Sequence, residues 1–179
     1  KVAIVGGGPS GMAAAFYLAR MGADVAIYEK RQKLGGIVSA VIPDFRIDDS
    51  VIEKDAALLE KLGVKVFYGR EVTSVAELQE EYDAVILAVG AYKRGQLKLD
   101  GKEVRNALEF LEEFNRAKGK VNLGKRVVVI GGGNTAMDTA RAAKRCAGVE
   151  YVYLVYRRTK RYMPADEHEL LLAIKDGVE

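Results

Sequence analysis

The sequence predicts an α/β fold made of two Rossmann-like parallel-sheet units. Three features carry that reading. An apolar run leads into a glycine turn and a helical stretch at the N-terminus. The same order recurs later, with Gly131, Gly133 and Ala136 standing 125 positions after Gly6, Gly8 and Gly11. The remaining apolar runs are short and unbroken, as strands covered on both faces are. The two units are assigned to residues 1–100 and 101–179.

In the first unit, Val2 to Val5 reads as a strand and Gly6-Gly7-Gly8-Pro9-Ser10-Gly11 as the turn. Met12 to Met21 follows as helix, and Val25 to Tyr28 as a second strand ending on Glu29. Gly6 permits the tight turn, Gly8 lets the backbone approach a pyrophosphate, and Gly11 lets the helix pack on the strand. The helix N-terminus offers free N–H groups and a positive dipole end to phosphates. Glu29 stands where a carboxylate accepts from a ribose 2′-OH. A purely structural glycine turn is the plainer reading. The flanking strands and the acid at this distance favour a dinucleotide site.

Farther on, Lys30 to Lys33 forms a basic turn leading to Leu34-Gly35-Gly36, and Ile37 to Ile42 reads as a strand or an extended passage. Asp49 or Ser50 caps a helix to about Leu62, closed by Gly63. Val64 to Tyr68 is a strand. Ser74 and Glu77 form a capping box for a helix to about Glu81. Asp83 to Val89 reads as a buried parallel-type strand ending at Gly90. Tyr92 to Glu103, polar and glycine-punctuated, reads as a crossing between domains. Asn106 and Glu109 open a helix through Arg116, and Gly119 to Lys125 is a loop.

The second unit comprises strand Arg126 to Ile130, Gly131-Gly132-Gly133-Asn134-Thr135-Ala136, helix to about Ala147 and strand Tyr151 to Tyr156. Ala136 satisfies the third position, which needs only a small side chain. Allowing three extra residues before the second strand sets Tyr28-Glu29 against Tyr156-Arg157, so that a base replaces the acid. A carboxylate accepts from a free 2′-OH and repels a 2′-phosphate; a guanidinium does the reverse, with bidentate geometry. The first unit therefore suits FAD or NAD. The second suits NADP(H), with Arg157 and Arg158 on the phosphate and Arg161 able to close on it. A solvated basic turn, or a nucleic-acid patch flanked by Tyr156 and Tyr162, is the alternative reading of that run.

The chain has 179 residues, of which 49% are hydrophobic and 30% charged, as in ordinary globular proteins. A formal charge of +3 does not imply a generally nucleic-acid-binding surface. No apolar run is long enough to span a bilayer. One cysteine, Cys146, forms no internal disulfide and alone holds no iron–sulfur cluster, and a cytoplasmic setting fits.

Several of these segments together resemble the flavoprotein small (beta) subunit of glutamate synthase. They are Gly6 to Gly11, Glu29, Gly35-Gly36, Ile42-Pro43-Asp44-Phe45-Arg46 and Ala88-Val89-Gly90 in the first unit. In the second they are Gly131 to Asp138, Tyr156-Arg157-Arg158-Thr159 and Met163-Pro164-Ala165. The superfamily includes dihydropyrimidine dehydrogenase, a ferredoxin–NADP oxidoreductase and a selenate reductase subunit. The stretch Gly36 to Pro43 looks closer to the last of these than to the usual glutamate synthase wording. The resemblance implies an FAD-binding first unit, an NADPH-binding second unit inserted in it, and hydride passing from nicotinamide to flavin. It further implies an iron–sulfur partner or fused iron–sulfur domain. The chain then reads as an internal slice of a longer polypeptide, with both units incomplete.

By the same resemblance Gly8, Pro9, Ser10 and Gly11 hold the FAD pyrophosphate, and Glu29 its adenosine ribose. Lys30, Gly36 and Arg46 line the flavin side, Val72 sits by the adenine, and Gly6 and Gly90 join the same site. Gly133, Asn134 and Thr135 meet the NADPH pyrophosphate. A buried Arg46 needs an anionic partner; a cofactor phosphate and a salt bridge to Asp44, Asp48 or Asp49 are equal candidates.

Hydride transfer needs no protein acid or base, so no catalytic side chain is named. Gly36-Ile37-Val38-Ser39 offers no cysteine pair beside a flavin, and Cys146 reads as a core residue. His168, with only carboxylates as neighbours, reads as a surface residue rather than a metal ligand. Two other functions fit less well: a non-catalytic dinucleotide-binding or interaction module, and a dehydrogenase using a single dinucleotide.

Overall fold

Four parallel strands in the order β3-β2-β1-β4 form the first sheet: β1 (Val2–Val5), β2 (Val25–Glu29), β3 (Lys65–Tyr68) and β4 (Ala84–Leu87). This computed structural model describes residues 1–91, 99, 101 and 103–179. Their contacts cluster in two units, Lys1–Ala40 with Asp44–Lys93, and Val41–Pro43 with Arg94–Glu179. Most of the predicted crossing Tyr92 to Glu103 lies outside the described residues.

Alternation along β1 and β2 divides the first unit's core. Ile4, Val25 and Ile27 pack with Ala15 of helix α1 (Pro9–Arg20) and Leu59 of helix α3 (Asp49–Lys61). Ala3 and Val5 face the other way, onto Leu78 of helix α4 (Val75–Gln79). Ile4 and Ile27 are fully buried, each contributing about 1.5–3 kcal/mol. Pro9, whose fixed φ suits a first helical turn, starts α1 three residues before the predicted start.

Local chemistry revises several expectations. Ile37 to Ile42 is not a strand. The positive φ of Gly35 (+103°) and Gly36 (+55°) turns the chain, and Ser39 Oγ donates to Leu34 O at 2.9 Å, closing the short helix α2 (Ile37–Ala40). Asp48, rather than Asp49 or Ser50, caps α3, accepting from Ser50 N–H at 2.8 Å. Ser74 stands at the N-cap of α4, yet its side chain makes no capping bond. The strand expected to be buried, β4, is an edge strand among the described residues, with Leu87 61% exposed. Its central residues are apolar because Ile86 packs on the cluster of Ile4 and Ile27 and Val85 on that of Ala3 and Val5.

The second unit pairs β5 (Arg126–Ile130) with β6 (Tyr151–Val155) in parallel, Ile130 opposite Val155. Helix α6 (Asn134–Arg145) is buried from Ala136 through Ala143, in contact with helices α5 (Ala107–Arg116) and α7 (Glu167–Lys175) and with both strands. Val129 and Val152 face inward, whereas Val128, Ile130, Tyr151 and Val155 are exposed. Asn115 Nδ2 donates to Ile42 O at 2.9 Å, which explains why Val41–Pro43 groups with this unit.

Candidate dinucleotide cradles

The first glycine turn packs tightly against its neighbours. Gly6 N–H donates to Tyr28 O at 2.9 Å, and Gly6 has φ +104° with no room for a side chain; a Cβ there would lie 2.4 Å from Ala88 O. A Cβ on Gly11 would come within 2.0 Å of Gly6 O. Gly8, the N-cap of α1, receives no side-chain cap. The first-turn N–H groups of α1 are therefore available to a ligand oxygen.

Glu29 is buried and fastens this turn. Its Oε2 accepts from Gly7 N–H at 2.7 Å and its Oε1 from Arg31 N–H at 2.8 Å. Gly7 O in turn accepts from Gly35 N–H at 2.7 Å. The second glycine pair is thus locked to the first, and a Cβ on Gly36 would lie 2.9 Å from Gly8 Cα.

A cavity of about 410 Å³ opens over this turn, within the ordinary size of ligand sites. Gly6, Gly8, Pro9, Ser10, Glu29, Lys30, Gly36, Val72 and Gly90 line it. Gly11 lies under the turn, buried. Arg46, expected to be buried on the flavin side, is exposed and does not line the cavity. Arg31, Arg70 and Glu71 line it although the sequence reading passed over them. Their signal was topological: in a parallel doubly wound sheet, residues just beyond the carboxyl ends of adjacent strands share one crevice.

The second turn repeats the backbone and changes the side chains. Gly131 N–H donates to Val155 O at 3.0 Å, as Gly6 N–H does to Tyr28 O. With Val5 opposite Tyr28 and Ile130 opposite Val155, the position of Glu29 falls on Tyr156. The expected match of Glu29 with Arg157 is one residue out of register: the second unit has two extra residues before its second strand, not three. A tyrosine replaces the acid, its ring packed where a Cβ on Gly132 would come within 2.6 Å. Arg157 and Arg158 occupy the next two positions, exposed, and Arg161 lies in the 3₁₀ turn Lys160–Tyr162.

Gly133 is the N-cap of α6 and again lacks a side-chain cap. Asn134 and Thr135 are exposed at the start of that helix, and Asn134 Oδ1 already accepts from Asp166 N–H at 2.9 Å. Cys146 is buried beside α6, and that burial pushes its thiol pKa up. His168 is exposed in the first turn of α7. Among the described residues no group of three or more His, Cys, Asp or Glu side chains is placed to hold a metal ion, and no helix is long and apolar enough to cross a membrane.

Strand order, uncapped helix ends and paired glycine turns define an α/β dinucleotide-binding protein. The chain belongs to the pyridine nucleotide-disulphide oxidoreductase family, which it matches over residues 1–177. It is 42% identical to YgfK of Escherichia coli O157:H7, an oxidoreductase by name, over 99% of this chain and 18% of that protein. It is 36% identical to the glutamate synthase [NADPH] small chain of Azospirillum brasilense, over 100% of this chain and 40% of that one. The resemblance read from the motifs therefore holds. The structure of Mycobacterium tuberculosis FprA in complex with NADPH superposes with a TM-score of 0.78 at 27% identity, over 97% of this chain and 47% of FprA. The chain thus spans less than half the length of each of these relatives.

Proposed function

We propose that the polypeptide carrying this chain is an oxidoreductase that takes hydride from NADPH to FAD and passes electrons to an iron–sulfur partner. One observation carries the reading: two glycine cradles of the same backbone, one fastened by a buried carboxylate and the other followed by exposed arginines. Both groups fit. Gly6 and Gly11 in the first turn and Gly131 and Gly132 in the second are packed too closely for a Cβ. A Cβ on Gly8 or Gly133 would meet nothing closer than 3.8 Å, and each turn ends in an uncapped helix.

In the first cradle the N–H groups at the start of α1 bind a pyrophosphate, and Gly36 closes beside Gly8. Each Glu29 oxygen has a lone pair left after its backbone bond, which accepts from the adenosine ribose. Lys30 and Val72 flank the nucleotide. In the second, Gly133 and the first turn of α6 bind the pyrophosphate, and Arg157, Arg158 and Arg161 take the 2′-phosphate. When bound, FAD supplies an acceptor for the nicotinamide hydride and a donor of single electrons. The protein's task is then placement and charge.

The relatives' description as a small chain supports a redox partner for this polypeptide too, and the buried, unpaired Cys146 is compatible with a reducing cytoplasm. The test uses the full-length protein. Flavin absorbance together with NADPH-dependent dye reduction supports the proposal. A colourless, inactive protein that still binds partner subunits overturns it in favour of a non-catalytic module.

A further inference from the structure

The loop carrying the arginines is tied down at several points. Tyr156 Oη donates to Tyr162 O at 2.8 Å, and within that span Tyr162 N–H donates to Thr159 O at 3.0 Å. Beyond it, Ala165 N–H donates to Gly132 O at 2.9 Å, and Asp166 N–H to Asn134 Oδ1. The tyrosine therefore touches the glycine turn with its ring and the far end of the basic loop with its hydroxyl. Arg157, Arg158, Lys160 and Arg161 all lie on the loop so closed. Four like charges on so short a segment favour an open loop, and the hydroxyl–carbonyl bond opposes that opening.

We propose that Tyr156 is a positioning residue for cofactor choice, holding the basic loop folded beside the glycine turn so that its cations converge on a ribose 2′-phosphate. The inference rests on the reading of this cradle as the NADPH site. The phenol makes no contact with the phosphate; it acts through the arginines.

Tyr156→Phe keeps the ring on Gly132 and deletes only the hydroxyl. In the flavin-loaded full-length protein, calorimetric titration with 2′,5′-ADP and with 5′-ADP reads the loop independently of turnover. The loss of one hydrogen bond should weaken 2′,5′-ADP roughly three- to tenfold and 5′-ADP by a smaller factor. The KM ratio of NADPH to NADH should shift in the same sense. In a double-mutant cycle with Arg157→Ala, the two losses should be less than additive, because one acts through the other. Equal losses for both nucleotides, no loss, or full additivity overturn the proposal and leave Tyr156 a packing residue. A wild-type protein that binds 5′-ADP as well as 2′,5′-ADP overturns instead the NADPH reading on which it rests.

Discussion

At the end of β2, Glu29 lies beneath its glycine turn with each carboxylate oxygen bound to a backbone N–H. At the end of β6, Tyr156 covers the equivalent turn with a ring, and a later segment makes the polar ties at Gly132 and Asn134. The strand register and the first hydrogen bond of the turn are the same in both. What differs is where the charge sits. In the first cradle it is buried and fixed before any nucleotide arrives, which suits a small neutral hydroxyl. In the second it stands on exposed arms beyond the turn, which suits a bulky dianion that brings its own charge. On the proposed reading one backbone serves two cofactors because the charge that selects the ribose lies at the last residue of the strand in one unit and two or three residues past it in the other.

The largest contrast is expected at the third small residue of each turn. Gly11→Ala would place Cβ 2.0 Å from Gly6 O, a backbone atom that cannot yield without opening the turn. Overpacking of this kind costs up to about 3 kcal/mol. Ala136→Gly removes a methyl the second turn already accommodates and should cost about 1 kcal/mol, the helix-propensity difference. Denaturant melts of the two variants check this. Equal effects would mean that the turns are not two versions of one motif.

The next contrast concerns the residues past the strand. Glu29→Ala strands the Gly7 N–H, whose bond is buried, at about 1–3 kcal/mol, and frees the half-buried Arg31 N–H to water at little cost. Glu29→Gln keeps an acceptor and should cost less. Thermal melts and flavin content separate the two variants. Arg157→Glu should leave stability nearly unchanged, since the side chain is exposed. It should weaken NADPH roughly ten- to a hundredfold, the range for a charge-assisted bond, and NADH far less. A comparable loss of both cofactors would remove Arg157 from the phosphate site.

The sequence made the turns legible because glycine spacing and apolar runs are local signals. Gly6 and Gly11 could be placed from residue type alone, since few residue types tolerate that geometry, and Gly8 and Glu29 followed from their spacing to them. Register was not legible in the same way. Whether two or three residues had been inserted before β6 is decided by Gly131 N–H finding Val155 O, a pairing that no residue type announces. Arg31 and Arg70 were missed because they enter the cavity through strand order, and the ties that the segment from Tyr162 to Asp166 makes to the turn because they are mostly main-chain. Arg46 misled through its apolar neighbours in the chain, which do not bury it.

The smallest effect concerns how the helix behind each turn is held. Helix α1 buries Gly11 and Ala15, whereas α6 buries a guanidinium as well. Arg141 Nε donates to Asp176 Oδ2 at 2.7 Å, Arg145 reaches the same oxygen at 2.6 Å, and Glu169 lies 3.6 Å from Arg141. Burial alone would raise the Asp176 pKa, but the hydrogen bonds from Arg145 and Arg141 outweigh it and hold the carboxyl below its usual 3.8. A carboxyl depressed in the folded state adds stability that is complete above the unfolded value and is lost as pH falls through the folded one. The second unit should therefore hold its stability down to about pH 4 and lose this contribution below that. Asp176→Asn should lower the plateau and flatten the acid limb, read in thermal melts from about pH 7 to about pH 2. An acid limb as steep in the variant as in the parent would assign the acid sensitivity to other carboxylates and leave α6 held, like α1, by packing alone.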